Sequence, residues 1–242
     1  MNDCANAVLA IGAKPIMAQH PKEVVQITSS AQALALNLGN FDDTRAQAMR
    51  LSAGYANDHQ LPFILDLVGV GCSDLRKTYA LEMIETYHPT IIKGNLSELK
   101  SITQYTSHAK GIDVGIDDIE DPKSSAVWLR ELAKTNHCTV LCTGETDIIT
   151  SAKDCVLVHN GHSMMTLMTG TGCMLNVITA SFLSCAAPFE SAVLACTYFG
   201  CAGEESMIEA PSPGSFRVHL LDWLYKMDEE TFYKRAHITD LS

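Results

Sequence analysis

Short apolar runs alternate with longer amphipathic stretches along this chain, and the alternation predicts strands and helices in turn. Four apolar runs have the length and aliphatic composition of buried strands, and each ends in Asn, Asp or Gly. Strands that alternate with helices are typical of βαβ units, which build a mainly parallel sheet with helices on both faces. The predicted strands are "ALALNLG" (33–39), "FILDLVGVG" (63–71), "TIIKGN" (90–95) and "TVLCTG" (139–144).

Six further stretches predict helices. The stretch "DDTRAQAMRLSAGYAND" opens on acidic residues, which favour a helix N-terminus, and Met49, Leu51 and Tyr55 give it an apolar face. The segment "DIITSAKDCVLVHNG" predicts a hairpin that turns around residues 152–154. No internal repeat or linker divides the sequence, so we expect a single domain over residues 1–242. The other helices are predicted at 74–87, 124–136, 172–186, 189–209 and 215–227.

Composition narrows the class of protein. With 28 acidic and 17 basic side chains the net charge is −11, which argues against nucleic acid or an anionic membrane as the main partner. The apolar stretch 174–203 is interrupted by Asn176, Pro188 and Glu190, which favours two buried helices over a membrane span. Nine cysteines without a C-x-x-C pair or a secretory signal predict reduced thiols and a cytoplasmic location.

Polar residues lie where the predicted strands end. Parallel strands place their carboxyl ends at one edge of a sheet, and open α/β sheets bind ligands outside that edge. We therefore expect these residues to share one rim: Asn37, Asp66, Lys93, Asn95, Thr143 and Gly144.

The loop "TGTGC" (169–173) leads into the predicted helix at 172–186. Gly170 and Gly172 allow close approach of the backbone to a ligand, and a helix N-terminus directs unpaired N–H groups at an anion. No lysine follows the last glycine, so the loop is not a Walker A loop. The alternative is a tight strand-to-helix turn without a ligand, in which the thiol of Cys173 is incidental.

Two carboxylates on this rim are candidates for a magnesium site, since Mg²⁺ usually takes one or two carboxylates and keeps much of its water. Asp66 ends an apolar strand, and Glu98 follows Asn95 by three residues in "KGNLSE". The alternatives are a turn cap for Asp66 and a capping box for Asn95 and Glu98.

Together these features match the needs of phosphoryl transfer: an anion cradle, carboxylates for a metal, the cation Lys93 and a proton acceptor. The Thr143 hydroxyl and the Gly144 N–H in "CTGE" are further candidates, to hold either a phosphate oxygen or polar groups on the adenine side.

Seven blocks in order resemble the hydroxyethylthiazole kinases of the ribokinase-like superfamily over nearly the whole chain. The resemblance implies a three-layer α/β/α ribokinase-like fold with a mainly parallel central sheet, assembled as a homotrimer with active sites between subunits. It also implies transfer of the γ-phosphate of ATP, with Mg²⁺, to the primary hydroxyl of 4-methyl-5-(2-hydroxyethyl)thiazole, a salvage step toward thiamine. The blocks are "ANAVLAIGAKPIMA", "ALALNLG", "LDLVGVG", "IIKGNLSE", "TGETDII", "VHNGHSMMTLMTGTGCML" and "PGSFRVHLLD".

The resemblance also implies roles for individual residues. Met17 and Gly170 match substrate-binding positions, and Cys173 stands where most ribokinase-like enzymes place an aspartate base. We hypothesise that Cys173 positions the substrate hydroxyl and finally deprotonates it. A helix N-terminus lowers the pKa of a thiol in general, while a bound triphosphate opposes that effect.

The remaining implied roles belong to the nucleotide and the metal. Lys93 and Thr143 match ATP-binding positions; Lys93 is often Arg in the family, so the charge stays and the bidentate fork is lost. Asp66 and Glu98 match the carboxylates that organise Mg²⁺ and the triphosphate.

Two departures from the family pattern stand beside these matches. Leu67 follows Asp66 where the family usually has Pro. The sequence begins at Met1 inside the family's first conserved block, so we expect the upstream strand and its Asn-containing turn to be missing. The alternative functions are a kinase for another vitamin precursor, hydroxymethylpyrimidine or pyridoxal, and a non-catalytic thiazole-binding protein.

Overall fold

Seven strands form one mixed sheet in this computed structural model, which describes residues 2–106, 121–210 and 212–242. The order across the sheet is the order along the chain. β1 to β4 pair in parallel, and the three pairings from β4 to β7 are antiparallel, so β6 runs in the same direction as β1 to β4. The strands are β1 (Leu34–Asn37), β2 (Phe63–Asp66), β3 (Ile91–Asn95), β4 (Thr139–Thr143), β5 (Asp147–Thr150), β6 (Cys155–Val158) and β7 (Ile238–Asp240).

Ten α-helices occur in the described ranges. Their starts follow ordinary capping chemistry: the Asp42 and Ser73 side chains accept N–H bonds at the first turns of α3 and α4, and α6, α8 and α9 open on Pro. The helices are α1 (Asn2–Ala10), α2 (Val24–Thr28), α3 (Asp43–Asp58), α4 (Asp74–Tyr87), α5 (Leu96–Thr106), α6 (Pro122–Thr135), α7 (Thr171–Leu183), α8 (Pro188–Glu209), α9 (Pro213–Lys226) and α10 (Glu229–Arg235).

The predicted elements are present, most with shifted ends. β2 stops at Asp66 rather than residue 71, because Gly69 takes a left-handed backbone (φ 76°) and the chain enters a 3₁₀ turn at Val70–Cys72. β5 and β6 form the expected hairpin. The pattern did not predict α1, α2, α10 and β7, and it pointed to α5 only through the capping-box alternative for Asn95 and Glu98.

Two hydrophobic cores, one on each face of the sheet, define three layers. Phe63 and Leu65 of β2 pack with residues of α3 to α6, whereas Ile64 packs with residues of α1, α7, α8 and α9. Side chains alternate between the faces of a strand, so Asp66 lies on the same face as Ile64, beneath α7. This is the three-layer α/β/α arrangement that the resemblance implies.

The apolar stretch 174–203 forms parts of α7 and α8, which pack against each other. Among the described residues, no helix has the length and apolar character needed to cross a membrane. All nine cysteines lack a disulfide partner.

Gly200 marks a close approach between α8 and the chain that follows β6. A Cβ added there would lie 2.6 Å from Asn160 Cβ and 2.7 Å from the Asn160 carbonyl oxygen. Contacts this short force atoms to move, and the atoms here include the backbone of Asn160 rather than the far end of a flexible side chain.

We expect Gly200→Ala to lower the free energy of unfolding by about 1–3 kcal/mol, because overpacking of this kind forces the backbone apart. Gly214→Ala is the matched control, since a Cβ at Gly214 meets no atom within 4 Å in the first turn of α9. Urea denaturation of the two variants checks this. Equal stabilities would contradict the close approach.

Candidate active site

One row of polar side chains crosses three neighbouring strands at their carboxyl ends. Asn37 of β1 is in register with Asp66 of β2, and Asp66 is in register with Lys93 of β3. Asn95 and Thr143 pair two residues further along, on β3 and β4. The structure therefore brings the predicted rim together.

Lys93 and Asp66 form a buried ion pair at the centre of this row. Lys93 Nζ lies 3.1 Å from Asp66 Oδ2, and the side chains are 3% and 1% exposed. Burial favours the neutral amine, but the Asp66 carboxylate outweighs it and raises the pKa of Lys93. Burial also raises the pKa of Asp66, against the opposing effect of the ammonium group. The lysine therefore keeps its charge away from solvent.

One oxygen of Asp66 has no hydrogen-bond partner among the described residues. Oδ2 contacts Lys93 and accepts a hydrogen bond from Asn37, whereas Oδ1 is buried and makes no hydrogen bond. A buried carboxylate oxygen without a donor is costly, which makes Oδ1 a natural ligand for a cation or its water.

Asn37 connects this pair to the thiol of Cys173. Asn37 Nδ2 lies 2.9 Å from Asp66 Oδ2 and 3.3 Å from Cys173 Sγ, so one amide group donates to both. The thiol is half-buried. Residues far apart in the sequence thus form one chain of contacts from Lys93 to Cys173.

The N-terminal turn of α7 lies over the same row. Gly170 precedes the helix with φ 91°, a left-handed conformation that glycine adopts at no steric cost. A Cβ on Gly172 would lie 3.6 Å from Lys93 Nζ, so the ammonium group lies beside the first turn. Asn176 donates to the Leu36 carbonyl at 3.3 Å and ties α7 to β1. The positive helix end and the lysine together favour an anion here.

Glu98 has both carboxylate oxygens engaged by backbone N–H groups. Oε2 accepts from Asn95 N at 2.8 Å while Asn95 Oδ1 accepts from Glu98 N at 2.9 Å, which is the capping box. Oε1 accepts from Gly69 N at 2.9 Å and joins the turn after β2 to α5. Each oxygen keeps a second lone pair, so the cap does not prevent Glu98 from facing a hydrated cation.

Thr143 ends β4 beside a turn that Asp147 closes. The Gly144 N–H donates to Asp147 Oδ1 at 3.0 Å. Burial raises the pKa of Asp147 to about 6, against the N–H bond from Gly144. Sequence reasoning did not single out Asp147; the signal was a carboxylate three residues after glycine in "GETD".

Comparison with known proteins decides the family. The model of the hydroxyethylthiazole kinase family matches residues 1–230. The chain is 41% identical over 241 residues to hydroxyethylthiazole kinase 2 of Clostridium botulinum strain Langeland, covering 98% of this chain and 91% of that protein. The chain belongs to the hydroxyethylthiazole kinase family. A kinase role in thiamine salvage follows from this membership.

Other relatives agree with the assignment. The hydroxyethylthiazole kinase of Methanobrevibacter smithii is 38% identical over 251 residues, covering 98% of this chain and 88% of that protein. The structure of hydroxyethylthiazole kinase from Pyrococcus horikoshii matches with a TM-score of 0.92 and 30% identity, covering 100% of this chain and 90% of that one. A pyridoxal kinase from Staphylococcus aureus matches at a TM-score of 0.57 and 13% identity, over 84% and 81% of the two chains, which shows a shared fold alone.

Met17 does not belong to a strand or helix. It lies in the loop between α1 and α2, and its side chain is 50% exposed. Its contact with a substrate stays a prediction. The roles that the family resemblance implies for the other site residues also stay predictions: Asp66, Lys93, Glu98, Thr143, Gly170 and Cys173.

The donor set fits Mg²⁺ better than a transition metal. In the described part of the chain, no three His, Cys, Asp or Glu side chains gather as a metal cluster. Mg²⁺ needs no such cluster, because it takes one or two carboxylates together with water and substrate phosphates. The unpartnered Asp66 Oδ1 is the observation that fits this requirement.

We expect Lys93→Met to lower the free energy of unfolding by about 3–5 kcal/mol, because it leaves Asp66 buried without its counter-ion. The double variant Lys93→Met/Asp66→Asn removes both charges and is expected to recover part of that loss. Urea denaturation at neutral pH measures all of these values.

The control for this experiment is Lys134→Met. Lys134 and Glu131 form an exposed pair at 3.9 Å. Its removal is expected to cost less than about 1 kcal/mol. If Lys93→Met were as mild as Lys134→Met, the buried pair would not contribute as described.

Proposed function

We propose that this protein transfers the γ-phosphate of ATP to the primary hydroxyl of 4-methyl-5-(2-hydroxyethyl)thiazole. The observation that carries the proposal is the convergence of Cys173, Asn37 and the Lys93–Asp66 pair at the N-terminus of α7. It places a thiol, an ammonium group and an anion-binding helix end together in a member of the hydroxyethylthiazole kinase family.

The phosphate end of the site is proposed to lie where the Lys93 ammonium group meets the first turn of α7. Lys93 and the first turn of α7 face the transferred group, and the Thr143 hydroxyl at the end of β4 is proposed to hold another part of the nucleotide. Phosphoryl transfer passes through a loose transition state in most analyses, so fixed positive charge and positioning supply most of the rate enhancement. Lys93 acts as a point charge rather than as a bidentate fork.

Mg²⁺ is proposed to be held by Asp66 and Glu98, and when bound it neutralises charge on the triphosphate. Asp66 contributes the unpartnered Oδ1, and Glu98 contributes the free lone pairs of a carboxylate already fixed by two backbone N–H groups. Fixed carboxylates of this kind need no reorganisation when the nucleotide enters.

Cys173 is proposed to receive the proton of the substrate hydroxyl. The hydroxyl oxygen forms a bond to the γ-phosphorus, the bond from that phosphorus to the β–γ bridging oxygen breaks, and ADP leaves. The thiolate of Cys173 accepts the proton of the hydroxyl and becomes a thiol. Uptake of the proton removes the charge of the thiolate and leaves a neutral thiol beside the product phosphates.

Met17 and Gly170 are proposed to contact the thiazole, and the protein is proposed to be a homotrimer with active sites between subunits. Ile16 and Met17 are 61% and 50% exposed, and adjacent exposed apolar side chains on one loop favour a surface that a partner or ligand covers. We further propose one domain over residues 1–242 and, from nine unpaired thiols, a cytoplasmic location.

The two rival functions differ from this one either in the alcohol that is phosphorylated or in whether ATP is consumed. A kinase for pyridoxal or hydroxymethylpyrimidine phosphorylates a different alcohol, and a thiazole-binding protein consumes no ATP. ADP release measured with each of the three alcohols separates them. We expect turnover with the thiazole alcohol; preference for another alcohol, or binding without ADP release, would contradict the proposal.

Cys173→Ser is expected to lower kcat by about 10²-fold, at the lower end of what a positioned base contributes. Cys185→Ser is the matched control, because Cys185 is an exposed thiol just beyond the C-terminal end of α7. The kcat of both variants, with its pH profile, is the measurement. Wild-type turnover in Cys173→Ser would remove the proton acceptor from the mechanism.

A further inference from the structure

The Asn37 amide is held in one orientation by its own backbone. Its Oδ1 accepts a hydrogen bond from the Gly39 N–H at 2.8 Å, which directs the NH₂ group at Cys173 and Asp66. An amide has distinct donor and acceptor ends, so the Gly39 bond decides which end faces the thiol.

Gly39 is part of this arrangement. A Cβ on Gly39 would lie 2.8 Å from Asn37 Oδ1, so any larger residue would displace the amide. The turn after β1 therefore leaves room for the side chain of Asn37 to fold back onto its own backbone.

We propose that Asn37 is a positioning residue that holds the Cys173 sulfur as a hydrogen-bond acceptor and stabilises its thiolate. This inference rests on the proposed role of Cys173 as proton acceptor. The amide N–H occupies one lone pair of the sulfur and leaves another for the proton of the substrate hydroxyl. Hydrogen bonds to the charged form of a group favour that form.

Other charged and titratable groups around the sulfur come from three elements. Lys93 of β3 lies beside the adjacent Gly172, and Asp66 of β2 shares the donor Asn37. Cys4 of α1 is close enough for a charge on Cys173 to contribute to the raised pKa of Cys4, although burial is the larger cause. Asn37, which is uncharged, donates a hydrogen bond to the sulfur.

The first test is the pH dependence of alkylation at Cys173 by iodoacetamide, followed by mass spectrometry of the peptide that carries it. Only the thiolate reacts, so loss of the donor moves the midpoint to higher pH, whereas a change in access scales the rate equally at every pH. We expect Asn37→Ala to move the midpoint by a shift equivalent to about tenfold in the thiolate equilibrium. Asn37→Asp also adds a like charge beside the sulfur, so we expect it to move the midpoint further in the same direction.

Asn57→Asp is the matched control for Asn37→Asp, because it makes the same chemical change at an exposed position. Asn57 lies in the last turn of α3, just before the loop that leads into β2. Asn57→Asp is expected to leave the midpoint unchanged. Gly39→Ala tests the orientation itself, since it keeps the amide and displaces it; a smaller shift in the same direction is expected. An unchanged midpoint in Asn37→Ala would overturn the proposal.

The second test is a double-mutant cycle on turnover. Asn37→Ala is expected to lower kcat by about tenfold and to leave KM for ATP within about twofold. In a Cys173→Ser background the same change is expected to cost much less, because the residue acts through the thiol. An equal loss in both backgrounds would show a merely structural role.

The two tests separate the two proposals. If the wild-type protein shows no turnover with the thiazole alcohol, the proposed function fails while the alkylation midpoint still reports on Asn37. If turnover is present and the midpoint does not move, Asn37 is excluded and the proposed function stands.

Discussion

The buried contact between Lys93 and Asp66 is the interaction on which the rest of the site depends. An ammonium group and a carboxylate without solvent are tolerated only as a pair, so each fixes the other at the ends of β2 and β3. The pair brings a positive charge next to the first turn of α7 and leaves Asp66 Oδ1 without a partner. A site prepared in this way favours a phosphate group with an associated cation.

Most of the fold could be predicted from the hydrophobic pattern, because the strands and long helices bury regular apolar faces. The pattern did not predict α2, α10 and β7, because elements of five, seven and three residues are too short to show a hydrophobic period. The end of β2 was also misplaced, because the apolar run continues to Val70 while the backbone of Gly69 has already turned. Backbone conformation at one glycine outweighed the pattern.

The candidate site was predictable as a set of positions but not as a set of contacts. The rule that parallel strands share a carboxyl edge places Asn37, Asp66 and Lys93 together, and strand register then puts them in one row. The hydrogen bond from Asn37 to Cys173 spans 136 positions of sequence and depends on how α7 lies over β1. Nothing local in the sequence specifies that distance.

The most direct test of this account is a crystal structure of the protein with Mg²⁺, a non-hydrolysable ATP analogue and the thiazole alcohol. The account predicts a phosphate oxygen within hydrogen-bonding distance of Lys93 Nζ, and the alcohol oxygen beside Cys173 Sγ with Asn37 still donating to the sulfur. A ternary complex in which the terminal phosphate binds away from Lys93, or the alcohol away from Cys173, would contradict it.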